Sequence, residues 1–147
     1  MSHLITPEEF MNCGLPVSDD IRDAEIEFAT NTIEQYMLVP FFGDLLSTII
    51  NDPSEYTDIL EAPDGLKQTM YHFVFAYLLY DRIRLTRFSS VVKNDEHSTD
   101  PSSKDIMDLA KMHWEIGTVY LIRNSEKLDI KVSEVKRNDL MFNELLY

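Results

Sequence analysis

Leu66-Lys67-Gln68-Thr69-Met70-Tyr71-His72-Phe73-Val74-Phe75-Ala76-Tyr77-Leu78-Leu79-Tyr80-Asp81-Arg82-Ile83-Arg84-Leu85-Thr86-Arg87 is the stretch whose period decides the fold. Leu66, Met70, Phe73, Val74, Tyr77 and Tyr80 recur at intervals of three and four, the repeat of one helix face. Phe75, Leu78, Leu79 and Ile83 add a second stripe. A helix that is apolar on most sides is normally central and buried. The run Phe73 to Tyr80 alone could be a strand, but the helical pattern continues past strand length on both sides. Arg82, Arg84 and Arg87 fall at the C-terminal end, where cations oppose the helix dipole.

Working outward, Pro63-Asp64-Gly65 marks a turn before this helix. Upstream, Thr6-Pro7-Glu8-Glu9 reads as a capping box, and Gly14 and Pro16 end that short helix. Ser18-Asp19-Asp20 then opens a helix over about 19–38, with Ile21, Ala24, Phe28, Ala29, Ile33, Tyr36 and Met37 as its apolar face and Glu25, Glu27 and Glu34 lying mostly elsewhere. Pro40 is expected to break it, since an interior proline loses a hydrogen bond and clashes with the preceding turn. A second amphipathic piece runs from Phe41 to Ile50, and Ser54 opens a short piece holding Tyr56, Ile59 and Leu60.

Downstream, residues 88–103 form a polar loop in which Val91, Val92 and Lys93 stand out as an interface candidate. Ser102 or Ser103 opens the last long helix, with Ile106, Leu109, Ala110, His113, Gly117, Tyr120 and Leu121 at helical spacing. Gly117 costs about 1 kcal/mol against alanine inside a helix, so a close contact with another helix is expected there. Residues 128–147 read as a tail or docking arm. Its apolar end, with Leu140, Met141, Phe142, Leu145, Leu146 and Tyr147, needs a surface to dock on. The expected fold is all-α: a bundle of about four to five helices over 1–127, with a long loop and an extended tail.

The net charge of -13 argues against a general phosphate-binding surface, which uses lysine and arginine to displace counterions. The single Cys13 makes no internal disulfide and has no zinc-ligand pattern around it. The N-terminus lacks a basic stretch followed by a long apolar run, so no signal peptide is expected. The longest apolar run is too short for a bilayer, so no membrane partner is expected.

The chain shows no glycine-rich phosphate loop, and His3, His72, His97 and His113 have no metal-ligand spacing. Asp95-Glu96-His97 sits in the polar loop, which does not preorganise ligands. His72 and His113 read as satisfied core or boundary groups, and Trp114 as a core or interface residue. No set of residues with mutually arranged catalytic roles is present, so no catalytic residue, metal or cofactor is expected.

The segment Ile33-Glu34-Gln35-Tyr36-Met37-Leu38-Val39-Pro40-Phe41-Phe42-Gly43-Asp44-Leu45-Leu46 resembles an element of tailed-phage head–tail connector (adaptor, head-completion) proteins, including those of Bacteroides-type phages and prophages. That element is a helix followed by proline, two apolar residues, glycine, aspartate and a leucine. Ala76-Tyr77-Leu78-Leu79-Tyr80 is similar to the family's central helix, and the likeness extends over roughly residues 4–125.

The resemblance implies a virion protein at the head–tail junction, made in a bacterial cytoplasm. It also implies a homo-oligomeric ring, commonly twelve-fold, beneath the portal protein and in contact with other head–tail or tail proteins. Double-stranded DNA passes through such a ring without specific binding. Pro40, Gly43 and Asp44 carry over as architectural positions, and no catalytic residue carries over. Two other readings remain open. One is a small acidic DNA mimic that blocks a basic partner; the other is an unfamiliar small helical enzyme.

Overall fold

The structure is a computed structural model that describes residues 3–90 and 103–128. Among them the chain is all-α. Its helices are α1 (Pro7–Met11), α2 (Asp23–Ile33), α3 (Val39–Phe42), α4 (Asp44–Asn51), α5 (Thr57–Glu61), α6 (Leu66–Ser90) and α7 (Ser103–Lys127). A π-helical turn, Glu34–Leu38, joins α2 to α3, and a 3-10 turn, Pro53–Tyr56, leads into α5. None of the described helices is long and apolar enough to cross a membrane.

The long helix read from the sequence is α6, and it is the centre of the molecule. Leu66, Met70, Phe73, Val74 and Ala76 are fully buried, and Tyr71, Phe75 and Leu78 nearly so. Burial of a side chain as large as Phe73 contributes about 1.5–3 kcal/mol. The helix continues to Ser90, a few residues past its expected end.

α7 packs antiparallel along α6. Going up α6, Thr69 meets Asn124, His72 meets His113, and Phe75 meets His113 edge-on. Gly117 explains the closeness of the two helices. A Cβ placed there would lie 2.7 Å from the Phe73 ring, so only hydrogen leaves room. Phe73 fills the gap and tilts against Trp114, with ring centroids 4.6 Å apart. The fully buried Asn124 fixes the far end, where its amide nitrogen donates to the carbonyl oxygens of Tyr120 at 2.7 Å and Asp64 at 2.9 Å.

The N-terminal half wraps this pair. The expected capping box at α1 is formed: the Glu9 amide donates to Thr6 Oγ1 and the Thr6 amide donates to the Glu9 carboxylate, both at 3.1 Å. Lys67, in the first turn of α6, holds Glu9 of α1 at 2.7 Å and Glu61 of α5 at 2.6 Å. Burial disfavours its charge, but the two carboxylates more than offset this and hold its pKa above the usual lysine value.

Four expectations need correction. α2 begins at Asp23 rather than near 19, because Ser18 hydrogen-bonds Asp20 in a turn and the chain stays extended up to Arg22. Its buried face is Ile26, Ala29, Thr30 and Ile33, and it continues through Glu34, Met37 and Leu38. Phe28 and Tyr36, read as core, are 65% and 53% exposed, and Ala24 is exposed too. Glu34, read as lying off the apolar face, is buried. In α7, Leu109 faces outward rather than into the core.

Gly117→Ala tests the α6–α7 contact. Alanine gains about 1 kcal/mol of helix propensity but overpacks the Phe73 ring, which costs about 1–3 kcal/mol. We expect a net loss of stability in urea unfolding, with the helical content of the folded state unchanged.

Candidate functional site

The segment that carries the family resemblance forms a joint between α2 and α4. Pro40 does not break the chain where the sequence suggested. A proline at this point has no N–H to give and its ring crowds the carbonyl one turn back. The wider π turn over Glu34–Leu38 precedes it, so Pro40 sits in the first turn of α3, where its missing donor costs little.

The break falls at Gly43 instead, with φ +53° and ψ -130°, a conformation open to glycine and strained by about 1–3 kcal/mol for other residues. Nothing lies near its absent side chain, so the requirement for glycine is one of backbone alone. Asp44 follows as the first residue of α4, where its negative charge suits the helix dipole.

Pro40, Gly43 and Asp44 are all exposed, while Phe41, Phe42 and Leu46 around them are buried. The joint is thus anchored by its phenylalanines and presents its polar corner to solvent. Beside it lies an open cleft of about 230 Å³. Val39, Leu46 and Ile50 form its apolar wall, and Asn31, Gln35, Ser47 and Asn51 form its polar rim.

Glu34 stands at the cleft floor, only 3% exposed. Its carboxylate accepts from His3 Nδ1 at 3.0 Å and from the Leu4 amide at 3.2 Å. Burial pushes the Glu34 pKa up, and the His3 ring and the Leu4 N–H pull it partly back, leaving it raised. This carboxylate ties the N-terminal segment, with its buried Leu4 and Ile5, to the joint.

A second cluster lies between α6 and α7. His72 Nδ1 and His113 Nδ1 are 2.9 Å apart, so one donates its proton to the other. The rings stack at 5.2 Å, Phe75 closes the pair edge-on, and Tyr120 meets His72 at 5.6 Å. Burial first, and repulsion from His113 second, push the His72 pKa down to about 4. Burial also lowers that of His113. Both rings are therefore neutral near pH 7, and the shared hydrogen bond needs one of the two Nδ1 atoms to be without a proton. No group of three His, Cys, Asp or Glu placed to hold a metal ion occurs among the described residues.

The remaining interface candidates, Val91, Val92, Lys93, Leu140, Met141, Phe142, Leu145, Leu146 and Tyr147, lie outside the described residues, as does Asp95-Glu96-His97. Sequence reasoning treated His72 and His113 as separate core groups. Each directly precedes an aromatic of the Phe73–Trp114 contact, and that adjacency was the available signal. The Glu34–His3 pair gave no such signal, since it depends on how the N-terminal segment returns across α2.

No protein-family profile, curated protein or solved structure matches this chain.

The histidine pair makes the fold sensitive to acid. An unfolded imidazole takes its proton near pH 6.5, whereas folded His72 takes it only near 4. Between these values the unfolded chain binds more protons, so stability falls as pH falls. Glu34, with its raised pKa, acts in the opposite direction. His72→Leu removes the His72 part of the first effect and leaves those of His113 and Glu34. Urea midpoints measured from pH 7 to 5 should fall more steeply for the natural chain than for this variant.

Proposed function

We propose that this protein is a structural subunit of a tailed-phage head–tail connector, a ring beneath the portal through which double-stranded DNA passes. The sequence element from Ile33 to Leu46 supplies the resemblance. The observation that carries the reading further is how the negative charge is distributed.

Between Asp23 and Leu66 the chain contains no lysine, arginine or histidine. Asp23, Glu25 and Glu27 on α2, Asp44 on α4, and Asp52, Glu55, Asp58 and Glu61 beyond it are all exposed. The cations of the described residues lie mainly on α6 and α7 and in the segments before α2. Residues 23–66 thus hold ten of the 26 carboxylates and no lysine or arginine, whereas the rest of the chain holds 16 carboxylates and all 13 lysines and arginines.

Such a segment suits the wall of a DNA channel. Phosphates bind where cations displace their counterions, and exposed carboxylates do the reverse and let the duplex slide. A closed ring needs two different complementary patches on each subunit. The exposed corner at Pro40, Gly43 and Asp44, with its adjoining cleft, supplies one surface of fixed shape. In this reading the exposed carboxylates of α2 and α4 face the channel and the long α6–α7 pair forms the outer wall.

Negative-stain imaging of the full chain mixed with the portal protein of the same genome tests the proposal. Closed rings seated on the portal are expected. Subunits that ignore the portal, and instead form a salt-sensitive complex with a basic nucleic-acid enzyme, would replace the connector with a DNA mimic.

A further inference from the structure

The outer side of α7 carries a second apolar stripe that the subunit does not use in its core. The core-facing side is Ala110, His113, Trp114, Gly117, Leu121 and Asn124. On the opposite side Leu109, Met112 and Val119 are 37%, 47% and 45% exposed, and Ile116 lies between them, partly exposed. Their spacing is three, four and three. Asp105 precedes Leu109 by four residues and Arg123 follows Val119 by four, both exposed. The six positions therefore form an unbroken seam at coiled-coil spacing, apolar in the middle and oppositely charged at its two ends.

The seam is complementary to its own reverse. Turned end over end about the level of residue 114, Asp105 falls opposite Arg123, Leu109 opposite Val119, and Met112 opposite Ile116. We propose that this face of α7 docks a second copy of the same chain, α7 against α7 and antiparallel, about a two-fold axis level with Trp114. Each contact then occurs twice.

Antiparallel coiled coils layer the two kinds of seam position against each other, and every layer here matches apolar with apolar or acid with base. A parallel pairing would set Asp105 against Asp105 and Arg123 against Arg123, two repulsions in place of two attractions. Within the single subunit Arg123 reaches Asp64 at 3.5 Å, a long and exposed contact that a partner carboxylate can replace.

One charge opposes the pairing. Glu115 lies on the flank of the seam close to the axis, near its own copy, with Lys111 one turn earlier on the same helix as its counterweight. The contact is isologous and closes at two copies, so it cannot by itself propagate a ring. It stands independently of the connector reading. The apolar centre is small, four side chains per copy, which places the pair among weak, concentration-dependent dimers.

Sedimentation velocity of the full chain across the micromolar range tests this directly. The natural protein should pass from monomer to dimer with rising concentration. Met112→Glu should abolish the dimer, and Arg123→Asp should weaken it by about tenfold or more. Circular dichroism checks that each variant remains folded. The decisive arm mixes Asp105→Arg protein with Arg123→Asp protein: each alone is weakened, but together they restore both ion pairs and should recover a dimer containing one copy of each. A natural chain that stays monomeric, or a mixture that fails to recover the dimer, overturns the proposal.

Discussion

The approach of α7 to α6 at Gly117 is the constraint on which the rest depends. The Phe73 ring occupies the space that any side chain at Gly117 would need, and Trp114 closes over it. Because the helices lie this close, His72 and His113 come within hydrogen-bonding distance, and Asn124 reaches the turn that begins α6. Polar groups buried at such a contact stabilise it only when they are paired, and they fix its register because a shifted helix would leave them unpaired.

Around that pair the N-terminal half is held by a few charged clips rather than by long helices. Lys67 gathers α1 and α5 at the start of α6, and Glu34 gathers the N-terminal segment at the joint. These clips leave Asp23, Glu25 and Glu27 of α2 and Asp44 of α4 facing solvent. The division of labour is physical. The paired long helices supply rigidity, and the shorter wrapped elements supply an acidic surface and the exposed corner at Gly43.

The long helices were legible because their signals are redundant. The helical period from Leu66 to Arg87 in α6 and the matching stripe in α7 do not depend on any one position, and Gly117 announced the close contact that the structure contains. The Thr6–Glu9 capping box was legible for the opposite reason, since it is a local arrangement complete within four residues. The face of α2 was misread because apolar residues there are split between two surfaces. Phe28 and Tyr36 satisfy helical spacing as well as Ile26 and Ile33 do, yet they point outward. The π turn was illegible, because the clash of Pro40 can be relieved either by breaking the helix or by widening the turn before it. In the candidate site, Pro40, Gly43 and Asp44 were marked by local backbone chemistry, whereas the Glu34–His3 and His72–His113 pairs join residues far apart in the chain and required the fold to be seen.

Amide hydrogen exchange resolved along the chain tests the central place of the α6–α7 contact. The account predicts that the slowest amides are those of Phe73–Leu78 and Trp114–Leu121, exchanging only when the whole molecule unfolds, with α4 and α5 opening at lower free energy. Slowest exchange in α2 or α4, with α7 opening separately from α6, would contradict it.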